Sequence, residues 1–255
     1  MNVFTPDKPL SANSICFTTQ RYGGVSEHPF NTLNLALHVG DDAKLVEANR
    51  LALFSWLCQQ VSAIPGNKGA VKSPQYITQV HSSRVLNAGA LTEGLTEPCD
   101  GVFSDQKMQP LVILTADCMP IVIMSTVSSE FCAIHAGWKG LANGIVENAL
   151  TKFSDERRYL RAWIGPSICQ KHFEVGRELT ERFDAYKAFF YPGNPSKWHM
   201  NLSGIATHIL TTHGVTEVQS SDECTYCHDA LFSYRQASHL NIKDCGRMAT
   251  IAMRY

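Results

Sequence analysis

The sequence predicts an α+β fold built on mixed β-sheets in a single domain, and three observations lead to that prediction. Residues 76–138 read as successive β-segments separated by turns that contain glycine, proline and aspartate. Helical apolar patterns lie on both sides of this region. No low-complexity linker interrupts the 255 residues, so we expect one domain over 1–255.

The N-terminal part is predicted to form a strand and a helix joined by a long polar loop. Ser14–Thr19 is β-like, and the segment RYGGVSEHPFNTLNLALHVGDD that follows is rich in glycine, asparagine and aspartate. Loops of this length are uncommon unless they are functional, and Gly23 and Gly24 allow positive φ and close backbone approach. Asp41 or Asp42 is the predicted N-cap of the helix. Its apolar positions are Leu45, Val46, Ala48, Leu51, Leu53 and Trp56.

The C-terminal half is predicted to add helices and a closing strand. After His135, the sequence AGWKGLANGIVENALTKF indicates a turn and then a helix, with Asn143 as its candidate cap. RAWIGPSI reads as a strand and turn, and an amphipathic helix is expected over Arg177–Phe190. Another helix is expected after Asn201, and GRMATIAMRY closes the chain as a strand.

Composition excludes several classes of protein. The chain is 44% hydrophobic and 18% charged with a formal net charge of −1, so no broad basic surface is available for nucleic acid or an anionic membrane. We find no signal-peptide pattern and no apolar run of about 18 residues. Nine cysteines, an odd number, favour reduced thiols. We therefore expect a soluble, cytoplasmic protein that is a monomer or a weak homodimer.

Three residues stand out as candidate metal ligands. Cys118 and His135 lie at or near the ends of two very apolar segments, LTADCMPIVIMS and FCAIHAGWKG, and His81 follows the β-prone run Tyr76–Val80. One thiolate and two imidazoles suffice for a zinc or copper ion with an open fourth position. The spacing is not local, so the three ligands can meet only through tertiary structure. Taken singly, such cysteines and histidines are more often structural core residues.

Other residues have several open interpretations. Asp117 can form an ion pair, orient a ligand, act as an acid or base, or cap a turn. Arg21 and Arg50 can meet an anion, although charges on a helix are usually solvated. Gly137 exposes amides at a strand-to-helix turn, where a phosphate can bind near His135.

The remaining cysteines are expected to be structural. Four lie in apolar neighbourhoods and are predicted to pack: Cys16, Cys58, Cys132 and Cys169. The run CTYCH, with Cys224 and Cys227, matches a haem-attachment motif and half of a zinc knuckle. Haem attachment requires export, and a knuckle requires a second CxxC or a histidine pair that is absent nearby. A structural loop is therefore favoured.

Taken together, the motifs resemble the YfiH-like family, also called the multicopper polyphenol oxidase or laccase-domain family. About ten motifs fall in the family's order across nearly the whole chain, which makes the match specific. They are RYGGVS, LNLALHVGDD, ANR, QVHSSRV, CDGVFSD, LTADCMPIVI, IHAGWKGLANGI, IGPSI with FEVG, and LFSYRQ with GRMA.

The resemblance implies a fold, a site and an activity. The mixed sheets are expected to pack as an α/β/β/α layered sandwich, similar to a deamidating toxin domain with a Cys-His pair. His81, Cys118 and His135 are implied to be zinc ligands. The implied activity is phosphorolysis of purine nucleosides, with deamination of adenosine and cleavage of methylthioadenosine, so the implied partners are a purine nucleoside and phosphate. Some members were assigned copper-dependent phenol oxidation.

The chemistry leaves several hypotheses open. Deamination needs an activated water, with Asp117 as a candidate proton carrier, and phosphorolysis needs a phosphate held by Arg21, Arg50 or the amides after His135. A laccase needs further histidine pairs, and His199, His208 and His213 do not form such a set. A third hypothesis makes Cys118 a nucleophile paired with His135 in a hydrolase. A binding module without catalysis is less favoured.

Overall fold

Short strands, with helices between them, make up most of the secondary structure. The computed structural model describes residues 1–67, 69–90, 97–194 and 196–255. The strands are β1 (Val3–Phe4), β2 (Ser14–Thr19), β3 (Gln75–Tyr76), β4 (Val85–Asn87), β5 (Gly101–Ser104), β6 (Leu111–Thr115), β7 (Met119–Ser125), β8 (Phe131–Ala136), β9 (Leu160–Ile164), β10 (Glu174–Gly176), β11 (Phe190–Pro192), β12 (Lys197–Met200), β13 (Glu217–Ser220) and β14 (Met248–Arg254). The α-helices are α1 (Ala43–Ser62), α2 (Trp138–Ala142), α3 (Ile145–Leu150), α4 (Arg177–Arg182), α5 (Leu202–Thr212) and α6 (Tyr234–His239). Short 3-10 helices cover Ala88–Ala90, Arg157–Tyr159 and Asp184–Phe189.

The strands form two large sheets and one small one. The five-stranded sheet has the order β1-β2-β14-β6-β3, and the six-stranded sheet has the order β13-β9-β7-β8-β5-β4. Both are mixed, because β3 runs parallel to β6, β4 to β5 and β13 to β9, while the other pairs are antiparallel. Strands β10, β12 and β11 form the small antiparallel sheet.

Three apolar clusters bind these sheets and helices into layers. One cluster lies between the two large sheets and includes Ile113, Val122, Phe131 and Trp163. A second packs α1 on the outer face of the five-stranded sheet, and a third packs α3 and α5 on the outer face of the six-stranded sheet. Burial of each large apolar side chain in this way stabilises the folded state by roughly 1.5–3 kcal/mol. The arrangement confirms the predicted α/β/β/α sandwich.

The long loop before α1 is held by one buried side chain of that helix. Asn49 donates from Nδ2 to the hydroxyl of Ser26 and to the carbonyls of Thr32 and Asn34, and its Oδ1 accepts from the amide of Val25. The loop passes so close that a Cβ on its second glycine would overlap Oδ1 of this side chain. The first glycine of the pair has φ of +93°. The predicted uses of Gly23 and Gly24 are thus confirmed.

Several element boundaries follow the sequence closely. Strand β2 covers the predicted residues, and β14 is the predicted closing strand. Asp42 caps α1, because its carboxylate accepts from the amide of Lys44 at 2.8 Å. Asn201 caps α5 by accepting from the amide of Gly204.

Other expectations were wrong. The predicted helix Arg177–Phe190 is broken at Phe183, whose φ of −107° and ψ of 39° separate α4 from a 3-10 helix. Asn143 ends α2 and does not begin α3, because Gly144 holds the N-cap position with φ of +83°. The β-prone run Tyr76–Val80 forms a strand only at its first residue, because β3 ends there. Residues 91–96 of the predicted β-region lie outside the described residues.

Within the described ranges, no helix combines the length and the apolar character that crossing a bilayer requires.

We predict that Asn49→Ala lowers the free energy of unfolding by about 1–3 kcal/mol, because it leaves the buried polar groups of the loop without partners. Urea unfolding followed by circular dichroism measures the change. Gln60→Ala on the exposed side of the same helix is the matched control and should change it by less than about 0.5 kcal/mol. Equal stability of the two variants would contradict this account of the loop.

Candidate metal centre

The fold brings the three candidate ligands together. The ligand atoms of His81, Cys118 and His135 all lie within 4.8 Å of one another. Sγ of Cys118 is 3.8 Å from Nε2 of His81, and the two imidazole rings meet edge to face with centroids 4.7 Å apart. We call these three residues the first centre. His135 is buried, Cys118 is half-buried and His81 is exposed.

Strand register accounts for most of this convergence. Strands β5, β8 and β7 are neighbours in the six-stranded sheet. Asp100 precedes β5 and lies opposite His135 in the β5–β8 register. Cys118 precedes β7 and lies opposite Gly137, the residue after β8. His81 comes instead from the loop before β4, where it has a left-handed φ of +60°. The expected strand-end setting of His81 is therefore wrong.

Asp100 is the buried carboxylate that joins the loop of His81 to His135. Its two oxygens accept from the amides of Val80, His81 and Ser82 at 3.2, 2.9 and 2.6 Å. They also accept from the Ser82 hydroxyl at 2.8 Å and face Nδ1 of His135 at 2.8 Å. The Asp100 side chain is 0% exposed. One carboxylate thus fixes both the backbone of one ligand and the ring of another.

The charges of these groups support one another. Burial disfavours ionisation of Asp100, but hydrogen bonds from His135 and Ser82 outweigh it and lower its pKa to about 2. Asp100 is therefore an anion at neutral pH, and Nδ1 of His135 must donate to it. The Nε2 atom of His135 is left facing Cys118.

Cys118 and His135 form an ion pair when no metal is bound. Burial opposes the Cys118 thiolate, but His135 and then His81 outweigh it and lower its pKa to about 6. Burial likewise opposes charge on His135, yet the thiolate and Asp100 raise its pKa to about 9. At neutral pH the pair is thiolate and imidazolium. A thiolate is the form that both metal binding and nucleophilic attack require.

Gly137 provides space for the ligands. A Cβ at this position would lie 2.7 Å from Sγ of Cys118 and 3.1 Å from Cδ2 of His81. Only glycine leaves the thiolate where it is. The sequence suggested Gly137 as a phosphate-binding residue at the start of a helix. In the structure Gly137 is the N-cap of α2, and this helix has only five residues.

Asp117 lies beside the centre but is engaged elsewhere. Its backbone has a left-handed φ of +89°, and its carboxylate accepts from the Thr225 hydroxyl and from the Arg235 amide, both at 2.6 Å. Its carbonyl accepts from the amide of Ile168 at 2.9 Å. These bonds tie the turn before Cys118 to two distant segments of the chain.

The first centre opens into a cleft of about 420 Å³. This volume lies within the range of small-molecule sites. Lining residues that the sequence did not single out for this site include three aromatic side chains, two arginines and a histidine: Trp138, Phe173, Tyr234, Arg235, Arg247 and His38. Lys139 and Asp117 also line it. Most of these residues are distant in the sequence from His81, Cys118 and His135, so no local motif indicated that they share a site.

Arg21 and Arg50 are not among the described residues that line the cleft. Arg21 donates from Nε to the carbonyl of Asn31 at 3.0 Å and lies 4.6 Å from the ring centroid of Phe232. Arg50 donates from Nε to the carbonyl of Leu35 and stacks on Tyr76 at 3.6 Å. The structure therefore does not bring these two arginines together with the first centre.

The donor set of the first centre fits a metal ion. One thiolate and two imidazoles are ligands that zinc and copper accept. Tetrahedral zinc places sulfur and nitrogen ligands about 3.6 Å apart, close to the observed 3.8 Å between Cys118 and His81. Three protein ligands would leave one position for water or substrate, and all three residues line the cleft.

Fold and site define a class of α/β/β/α sandwich proteins with a Cys-His-His cluster at the end of a central sheet. The family model described as multi-copper polyphenol oxidoreductase laccase matches residues 15–255. The chain belongs to this family.

Relatives and a solved structure agree with that assignment. A protein of Haemophilus influenzae named purine nucleoside phosphorylase is 33% identical, covering 98% of each chain. One of the same name from Pseudomonas aeruginosa is 34% identical, covering 97% of this chain and 96% of the relative. The crystal structure of a Neisseria meningitidis protein superposes with a TM-score of 0.86 at 30% identity, covering 100% of this chain and 99% of the other.

We predict that Gly137→Ala weakens zinc binding at the first centre by at least about 10-fold, because the added methyl group displaces the Cys118 sulfur. Competition titration with a fluorescent zinc chelator measures the affinity, and circular dichroism checks folding. Gly89→Ala is the control, because its Cβ would meet only Nε2 of Gln106, at 3.8 Å. Unchanged zinc affinity in a folded Gly137→Ala protein would count against the first centre.

We predict that iodoacetamide alkylates Cys118 of metal-free protein with a midpoint near pH 6. The rate follows the thiolate fraction, so it rises with pH through the lowered pKa and then levels off. Mass spectrometry of the Cys118 peptide measures it. In His135→Ala the midpoint should move upward because the stabilising imidazolium is gone, whereas His213→Ala should leave it in place. A common midpoint for both variants would refute the ion pair.

Proposed function

We propose that the protein is a zinc-dependent purine nucleoside phosphorylase that also deaminates adenosine and cleaves methylthioadenosine. The observation that carries this proposal is the Cys-His-His cluster at one side of a cleft that also holds cationic and aromatic side chains. The names of the relatives from two bacteria support the phosphorylase activity. The zinc and the two additional activities rest on the family resemblance and on the donor set.

Phosphate is best placed among the cations of the cleft. Lys139, Arg235 and Arg247 line it, whereas the two arginines suggested by the sequence, Arg21 and Arg50, are not among the described residues that line it. Guanidinium groups present paired donors that match phosphate oxygens, and lysine adds a mobile point charge. We propose that these three cations hold the attacking phosphate.

The purine is best placed against the aromatic side chains. Trp138, Phe173 and Tyr234 line the same cleft. Burial and the nearby Arg247 lower the pKa of His38, which favours the neutral imidazole. A neutral imidazole can donate at one ring nitrogen and accept at the other, which suits the edge of a purine. These groups would orient the nucleoside relative to the first centre.

In phosphorolysis, a phosphate oxygen forms a bond to the anomeric carbon while the bond from that carbon to the base nitrogen breaks, and the base leaves with the proton that the hydrogen phosphate gives up. Methylthioadenosine carries the same bond. When bound, zinc supplies Lewis acidity and activates water at neutral pH, which deamination requires. His81, Cys118 and His135 would hold it, and Asp100 would keep His135 in the tautomer that presents Nε2.

We propose a positioning role for Asp117. The sequence suggested a proton carrier, but both carboxylate oxygens already accept hydrogen bonds, from Thr225 and Arg235. Through the second bond it fixes the backbone of a cation that lines the cleft. We further propose a cytoplasmic location, since none of the nine cysteines forms a disulfide.

A Cys-His hydrolase is the second candidate function, and the ion pair described above favours it. Without metal, Cys118, His135 and Asp100 stand in the order nucleophile, base and orienting carboxylate. Copper-dependent phenol oxidation has less support. A multi-copper oxidase needs several further histidines, and the other potential ligand group among the described residues contains a single one.

We predict that the zinc-loaded protein releases free base from inosine only when phosphate is present, and converts adenosine to inosine. Chromatography of the reaction mixtures measures both. His81→Ala should lose at least about 100-fold in turnover, because it removes one metal ligand. Cys58→Ser, on α1 and outside the cleft lining, should keep wild-type turnover.

Each alternative has its own outcome. Activity toward amides or esters that survives chelation and is abolished by alkylation of Cys118 would replace the proposal by the hydrolase. Base release that does not depend on phosphate would exclude phosphorolysis. Equal turnover in His81→Ala and wild type would exclude the first centre as the reaction site.

A further inference from the structure

A second cluster of soft ligands lies outside the first centre. Cys169 and His172 follow β9, and Cys224 and Cys227 follow β13, the strand parallel to β9. The four ligand atoms lie within 4.8 Å of one another. Nδ1 of His172 is 3.3 Å from Sγ of Cys169, 3.3 Å from Sγ of Cys227 and 3.9 Å from Sγ of Cys224.

These distances fit a tetrahedral zinc ion. Zinc with sulfur and nitrogen ligands places each sulfur about 3.6 Å from the nitrogen, and the observed values of 3.3 to 3.9 Å bracket that distance. Four protein ligands leave no open position, which is typical of structural zinc. The first centre has three protein ligands and lies at an open cleft, which is typical of catalytic zinc.

Backbone hydrogen bonds hold the two ligand pairs in place. Ser167 and Cys224 form a parallel β-bridge, and the amide of Thr225 donates to the Ser167 carbonyl at 3.1 Å. Each pair is folded into a turn, because the amide of His172 donates to the Cys169 carbonyl and the amide of Cys227 to the Cys224 carbonyl. Backbone hydrogen bonds therefore fix the positions of the four ligands without a bound metal ion.

Two contacts orient the ligands themselves. The amide of Cys169 donates to Sγ of Cys224 at 3.3 Å, the kind of bond that stabilises a metal-bound thiolate. The His172 ring stacks on Tyr226 with centroids 4.3 Å apart and planes 11° apart. Its backbone carbonyl accepts from the Arg235 guanidinium at 3.3 Å, which brings a positive charge toward three thiols.

We propose that Cys169, His172, Cys224 and Cys227 bind a structural zinc ion. The sequence contained half of this site in CTYCH, but the second pair lies 55 residues upstream of Cys224 as Cys-x-x-His, and only the β9–β13 pairing brings it close. The expectation that Cys169 merely packs in apolar surroundings was wrong. For Cys224 and Cys227 we propose a structural metal site, where the sequence favoured a structural loop.

Zinc bound at this second site would stabilise one side of the cleft. Phe173, next to His172, lines the cleft, and so does Arg235, whose guanidinium donates to the carbonyls of His172 and Glu174. Thr225 lies between the two cysteines of the CTYC turn and donates to Asp117. The second site thus joins the turn before Cys118 to the cationic and aromatic wall.

Metal counting tests the proposal without reference to activity. Protein purified under reducing conditions, loaded with zinc and freed of excess metal is analysed by plasma mass spectrometry. We expect two zinc ions per chain in the wild type and one in His81→Ala. Cys227→Ser, at an exposed ligand, should also retain one. Cys58→Ser is the matched control and should retain two.

Cobalt distinguishes the two sites by their sulfur content. Loaded with cobalt, His81→Ala should retain a strong thiolate-to-cobalt absorption from three sulfurs, and Cys227→Ser should show a weaker one. The thiolate-to-cobalt absorption is also measured in the wild type. The test therefore remains possible even if one of the variants fails to fold.

Three results would overturn the proposal. They are equal zinc contents in Cys227→Ser and the wild type, no zinc in a folded His81→Ala protein, or a disulfide between Cys224 and Cys227 that persists in the reducing buffer. Each is independent of nucleoside turnover, so failure here is separate from failure of the proposed function.

Discussion

One buried carboxylate organises the functional end of the molecule. Asp100 accepts from three consecutive amides of the loop that carries His81 and from the ring of His135. Breaking a buried pair of this kind by removing one partner costs about 3–5 kcal/mol in proteins generally. A left-handed residue such as His81 persists only where its surroundings hold it. The geometry of the first centre therefore depends on a residue that is itself not a candidate ligand.

The layered fold makes this arrangement rigid. Asp100, Cys118 and His135 lie at the same end of three hydrogen-bonded strands, whose apolar faces are packed on one side against the second sheet and on the other against helices. Strand positions are more accurate platforms than loops. A loop then supplies His81, and the helices α2 and α6 supply the cleft cations Lys139 and Arg235.

The sequence pattern correctly predicted those elements that depend on short-range interactions. β-like composition located β2, and apolar spacing located α1, with Asp41 or Asp42 as its expected cap, because short-range hydrogen bonds and one buried face determine both. The helix expected over Arg177–Phe190 failed because its break at Phe183 has no signal in the pattern. Placement at or near the ends of apolar segments suggested the ligands of the first centre, and the motif resemblance implied the same three residues. Asp100 lay within a quoted motif without a role, because its partners are distant in sequence, and Cys169 and His172 were missed for the same reason.

The acidity of the Cys118 thiol has a consequence for the lifetime of the protein. A thiolate beside an open cleft is the form most readily oxidised to sulfenic acid, and further oxidation is irreversible. Its oxidised forms lose the thiolate that zinc binds. A metal ion held at this position would shield the sulfur from peroxide, so metal supply and resistance to oxidative damage would be linked through a single atom.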